Sequence, residues 1–158
     1  MIVERHAVRA LLLTPEHEIL LMRIRSPNSG VRFWIAPGGG LDPGETIEQG
    51  LRRELREELG LTDFTIGPLL WRRHHTFDWG DKRISQREEF RVVHTAKFEP
   101  RMSDEVELRV LDSFRWWRIE ELASAQEALT PRALAEIVTR YLAEGAPKGP
   151  LDVETLVD

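Results

Sequence analysis

The segment Pro37-Gly38-Gly39-Gly40-Leu41-Asp42-Pro43-Gly44 is too rich in glycine and proline to be helix or strand. It runs directly into a stretch that carries every signal of a helix. Thr46 with Gln49 three residues on makes a capping box, and Gly60 stands where a C-terminal stop belongs. The helix is therefore expected over about Thr46 to Leu59. At about 100° per residue, Ile47, Leu51, Leu55 and Leu59 form a drifting apolar stripe that must face a core.

The flanking sequence supplies the rest of a fold. His6 to Leu13 reads as a strand, Thr14 to His17 as a turn, and Ile19 to Ile24 as the returning strand of a hairpin. Ser26 to Gly30 is a loop and Phe33-Trp34-Ile35 a short strand. After the helix, strands are expected over Phe64 to Phe77, over Ile84 to Phe98 with an interruption, and over Phe114 to Ile119. Asp78-Trp79-Gly80-Asp81 makes a hairpin turn between the first two. Glu120 to Ala128 and Pro131 to Glu144 read as helices, and residues 146–158 as a loosely held tail. This order predicts an α/β (α+β) fold with a mixed sheet sandwiched by helices. With 158 residues, no repeat and no long linker, the chain is expected to be one domain, 1–158.

Composition narrows the chemistry. The formal charge of −5 argues against a broad nucleic-acid-binding face, so no stable nucleic-acid complex is expected. No apolar run approaches the length of a membrane span. The absence of cysteine excludes disulfides, thiolate catalysis and Cys-ligated zinc, and it fits a cytoplasmic location. An acidic chain that binds polyphosphate needs a local device against repulsion, and a bound cation is the usual one.

On the helical wheel Glu54, Glu57 and Glu58 fall within an arc of about 100°, beside the apolar stripe rather than opposite it. Like charges at this spacing cost about 0.2–0.5 kcal/mol per pair, and Gly50 inside the helix costs roughly another 1 kcal/mol. A helix that breaks local rules twice should be compensated elsewhere. A hard divalent cation would compensate it, since Mg²⁺ is typically held by a few carboxylates and substrate phosphates. Arg53 is spaced to pair with Glu57 at i,i+4. The competing reading is a merely solvated charged face.

What precedes the helix weighs against that reading. Gly39, five residues, Glu45, seven residues, then Arg53-Glu54-Leu55-Arg56-Glu57-Glu58-Leu59-Gly60-Leu61 resembles the Nudix box at every defining position. Trp34-Ile35-Ala36-Pro37-Gly38-Gly39 resembles the approach to that box, and a weaker likeness runs on through Arg115-Trp116-Trp117 and Glu120-Glu121-Leu122. The resemblance implies a Nudix-type α/β/α sandwich, and a hydrolase that splits a nucleoside diphosphate linked to some group X. It implies Glu54, Glu57 and Glu58 as ligands of Mg²⁺ or Mn²⁺, with the backbone carbonyl of Gly38 or Gly39 as a further ligand. Arg53 would orient a glutamate, and Glu45 would brace the loop. Gly39, Gly40 and Trp34 are candidates for substrate contact.

Glu54 is the first candidate for general base, with Glu88, Glu105 and Glu107 as candidate extra carboxylates. On a strand through Phe90, Glu88 shares the inward face with Phe90 and Val92, whereas Glu89 points outward. Trp34, Trp71, Phe77 and Trp79 are candidates for base stacking. Arg72, Arg73, His74 and His75 are candidates for phosphate contact. Adjacent histidines on a strand face opposite ways and make a poor metal pair. Trp116 and Trp117 alternate likewise. The features associated in the family with ADP-ribose, dinucleoside polyphosphate, coenzyme A and NADH substrates are missing, which leaves nucleoside triphosphates favoured. Two other functions compete: a nucleotide-binding sensor without turnover, and an isoprenoid diphosphate isomerase, whose cysteine is absent here. Nudix hydrolases often form homodimers, a state that nothing in the sequence demonstrates.

Overall fold

The computed structural model describes residues 1–101 and 110–158. Its strands are β1 (Ile2–Leu13), β2 (Glu18–Arg25), β3 (Arg32–Ile35), β4 (Gly38–Gly40), β5 (Thr65–Trp79), β6 (Lys82–His94), β7 (Leu111–Arg118), β8 (Ala128–Thr130) and β9 (Val153–Val157). Helix α1 spans Ile47–Leu59 and α2 Leu134–Glu144, with a short 3₁₀ helix at Ile119–Ser124. The sheet runs in the order β8-β3-β2-β1-β6-β5-β9, with β4 added to β1 and β7 to β2. It is mixed: β1 pairs β6 in parallel, while β5 and β6 form an antiparallel hairpin.

Alternation along β1 divides the interior into two cores. Val8, Ala10 and Leu12 pack with Leu51, Leu55 and Leu59 of α1. Leu11 and Leu13 face the other way, against Phe90, Val92 and the α2 residues Leu134 and Val138. The sheet thus lies between α1 and α2, which is the sandwich expected. Trp117 joins the α2 core and Trp116 packs on the α1 side, where its indole N–H donates to the Phe98 carbonyl.

Several local expectations change: the hairpin turn narrows to Gly80-Asp81 because Asp78 and Trp79 belong to β5, and α2 begins at Leu134 rather than Pro131. Gly38–Gly40 is a strand after all, because β1 offers a free edge and pairs Arg9 with Gly38 and Ala7 with Gly40. The β6 strand is unbroken and stops at His94. Glu120 to Ala128 is not one helix: the 3₁₀ turn ends at Ser124, and Ala128–Thr130 then pairs in parallel with β3. The tail is not loose throughout, since Val153–Val157 extends the sheet by pairing in parallel with β5.

Candidate active site

Helix α1 opens as the sequence predicts. The Thr46 hydroxyl accepts from the Gln49 N–H, the Gln49 side chain accepts from the Thr46 N–H, and Gly60 ends the helix at φ 71. A Cβ on Gly50 would collide with the Leu41 side chain and stand 3.1 Å from Glu45 Oε1. The glycine that weakens the helix therefore lets the preceding loop close onto it.

Arg53 ties that loop down. Its Nε donates to Glu45 Oε2 at 2.8 Å, and Nη2 donates to Glu45 Oε1 at 2.9 Å and to the Gly40 carbonyl at 2.8 Å. Nη1 reaches Glu54 at 2.9 Å and Glu57 at 3.2 Å. Hydrogen bonds from Arg53 and from the Asp42 backbone lower the Glu45 carboxyl to about 2, while the Glu45 carboxylate holds the Arg53 guanidinium above its ordinary range.

The three box glutamates sit differently. Glu58 is 3% exposed and accepts from the Gly38 N–H at 2.8 Å. Glu54 lies against the loop so closely that a Cβ on Gly39 would stand 2.7 Å from its carboxyl. Burial pushes the Glu54 carboxyl up, against the opposing pull of Arg53. Glu57 is half exposed and turned toward Arg53. Among the described residues no three carboxylate or imidazole groups converge as a ready-made metal cluster. The donor set still fits a hard divalent cation, because it offers only oxygen ligands within one turn of one helix. The Gly38 carbonyl, a candidate ligand, also accepts from Arg9 Nη1 at 3.2 Å.

Beside these groups lies a cavity of ≈ 260 Å³. Its origin is topological. β1 and β2 pair only at Leu13 and Ile19, and the two halves of the sheet diverge from there. Met22, Ile24, Phe33 and Ile35 line one wall, and Arg5, Arg9, Arg73, His75, Gln86 and Glu88 the other, with Gly38, Gly39 and Glu58 also on the lining. Glu88 is bound by two guanidinium groups, Arg9 Nε at 3.1 Å and Arg73 Nη2 at 2.8 Å. Burial alone would raise its carboxyl, but Arg9 and Arg73 outweigh burial and the net shift is downward. Arg73 also donates to Thr130 Oγ1 at 2.6 Å.

Of the aromatic candidates, Phe77 and Trp79 line the cavity. Trp34 does not: it is buried in the α2 core, edge-on to Trp117 at 5.1 Å between ring centroids. Alternation along β3 turns Trp34 away and aims Phe33 and Ile35 inward instead. Trp71 packs against the same core and donates to Glu154. His75 faces the cavity and meets Asp158 Oδ2 at 2.7 Å, whereas His74 turns to the Ser85 hydroxyl. Gly40 carries the Arg5 guanidinium against its backbone. Glu105 and Glu107 lie outside the described residues. Phe33, Gln86, Arg5 and Arg9 were missed, although alternation outward from Glu88 and Phe90 would have found Gln86.

The family model for the NUDIX domain matches residues 3–141. The chain belongs to the NUDIX family. Two of the curated relatives that this NUDIX chain resembles are called nucleoside triphosphatase NudI. The one from Enterobacter sp. (strain 638) is 67% identical over 27 residues, and that from Escherichia coli O1:K1 / APEC 58% over 36 residues. The matches cover 17% and 20% of this chain, and only 19% and 26% of those proteins. Among solved structures, the MutT protein of Methanosarcina mazei Go1 shares the fold at TM-score 0.61 and 24% identity, covering 91% of this chain and 96% of that one. The NUDIX domain of Shewanella oneidensis NrtR, solved with ADP ribose, aligns at TM-score 0.65 and 18% identity over 89% of each chain. Among the described residues, no helix of this NUDIX chain is long and apolar enough to cross a membrane.

Proposed function

We propose that this chain is a Mg²⁺- or Mn²⁺-dependent hydrolase that cleaves the diphosphate bond of a nucleoside diphosphate linked to another group, nucleoside triphosphates being the favoured class. One observation carries the reading: Glu58 and Gly39 of the box, with Gly38 just before it, line the same cavity as Arg5, Arg9 and Arg73. Glu58, one of the carboxylates that would hold a cation, thus shares the cavity with three guanidinium groups suited to the oxygens of a diphosphate, two of them also paired with Glu88. The name shared by the NudI relatives supports the choice of nucleoside triphosphates.

Glu54, Glu57 and Glu58 would hold the metal, which when bound would offset charge on the diphosphate and make the attacking water more acidic. Before a metal binds, burial pushes the Glu54 carboxyl up, which favours it as the group to take that water's proton. Arg53 fixes Glu54 and Glu57 by hydrogen bonds. Glu88 is a poor base by the same logic, because two guanidinium groups favour its ionised form. The lack of cysteine supports a cytoplasmic enzyme.

The test is a panel of nucleoside triphosphates, nucleotide sugars and other nucleoside diphosphate derivatives with Mg²⁺ or Mn²⁺, the products separated by the position of phosphate. Cleavage of the diphosphate bond in at least one class is expected. Tight nucleotide binding with no cleavage would make the chain a sensor instead.

A further inference from the structure

Gln86 lines the cavity, and the proposed chemistry leaves it unused. It sits on β6, 3% exposed, and lines the cavity on the same strand face as Glu88 and Ile84. Its β-sheet partners are Arg5 on β1 and His75 on β5, both of which also line the cavity. Yet no described residue hydrogen-bonds its carboxamide. The group is not sealed in the core either, so what it faces is the cavity. A side-chain amide carries two donor hydrogens and an acceptor oxygen, and burying it without partners is unfavourable. Such a group in a native structure calls for a partner, and a ligand seated in the cavity would supply one.

We infer that Gln86 is a specificity-determining residue that hydrogen-bonds the edge of a nucleobase seated in this cavity; the inference rests on the hydrolase reading for the rest of the substrate. The chemistry of the walls selects the ligand. A carboxamide presents a donor and an acceptor side by side, which matches the adjacent donor and acceptor on the edge of a base. Opposite it, Phe33, Ile24 and Met22 give an apolar wall suited to the face of a flat heterocycle and unsuited to a hydroxyl-rich sugar. The base end of the substrate then points between β3 and β6, and its phosphates lie toward Glu58 and Gly38.

The experiment uses binding alone, so that it is judged separately from hydrolysis. Wild type, Gln86→Leu and Gln86→Met are titrated calorimetrically with the four nucleoside 5′-monophosphates and with ribose 5-phosphate, which lacks the base. At least one nucleotide is expected to bind wild type about tenfold or more tighter than ribose 5-phosphate. Both variants lose about 10- to 100-fold in affinity for that nucleotide, with ribose 5-phosphate unchanged and melting temperatures near wild type. Two near-isosteric replacements guard against a packing defect in either. A wild type that prefers no nucleotide over ribose 5-phosphate overturns the inference, as do variants that keep the preference. A wild type that binds with the expected preference but cleaves nothing overturns the hydrolase reading and not this one.

Discussion

The Gly38 N–H donates to the Glu58 carboxylate at 2.8 Å, joining strand β4 to helix α1 through a side chain that is 3% exposed. A charged group is thereby held at the margin of the cavity by the fold itself. Glu58 satisfies a buried backbone donor, and in the proposed function it would also ligate the metal.

Those duties separate by substitution. Glu58→Ala strands the buried Gly38 N–H and should cost about 1–3 kcal/mol in urea denaturation. Glu58→Gln keeps an acceptor for that N–H, so its melting temperature should stay near wild type while hydrolysis is lost. Equal activity in Glu58→Gln would contradict the metal role.

Arg53 serves Glu45, Glu54, Glu57 and the Gly40 carbonyl at once. The planar fork makes this possible, and a lysine ammonium cannot copy it. Arg53→Lys should lose about 1.5–3 kcal/mol, the range for hydrogen bonds to charged groups. Activity should fall as well, because Glu54 loses its anchor. Unchanged denaturation and turnover in the lysine variant would show the network to be incidental.

Glu45 gives a pH signature. Its carboxyl falls from an ordinary 4.5 to about 2 in the folded chain, first through the Arg53 hydrogen bond and then through the Asp42 backbone. A lowered folded value means the folded state binds its proton later than the unfolded state. The stability it contributes is therefore full above the ordinary value and disappears as pH falls through about 2. The gap in denaturation midpoint between wild type and Glu45→Gln should be constant near neutrality and close across that acid window. A gap that ignores pH would dissociate Glu45 from the Arg53 network.

Glu88 tests structure against catalysis. With side chains 1% and 3% exposed, Glu88 and Arg73 form a buried pair, and Arg9 completes it. Glu88→Ala leaves two guanidinium groups uncompensated, which should cost about 3–5 kcal/mol by chemical denaturation. A general base would instead show lost turnover at unchanged stability.

The α1 helix was fully legible because its signals are local: Thr46 and Gln49 cap it, Gly60 ends it, and the leucine stripe has one period. The alternation that put Glu88 beside Phe90 and Val92 was equally local. Contacts set by distant partners were not legible. Gly38–Gly40 becomes a strand only because β1 is there to pair with it, and Val153–Val157 only because β5 has a free edge. Trp34 was placed by its neighbourhood to the box in sequence, whereas the pleat sends Phe33 to the cavity and Trp34 to the opposite core. The cavity itself arises where β1 and β2 part after a single pair, a long-range event that no short window of sequence contains.

Binding of Mn²⁺, titrated by calorimetry with and without nucleotide, reaches the root of the account. Wild type should bind the ion, and Glu54→Gln, Glu57→Gln and Glu58→Gln should each weaken binding by about tenfold or more at near-native melting temperature. Three variants that bind Mn²⁺ as wild type does would show that the carboxylates of α1 are not where the metal sits.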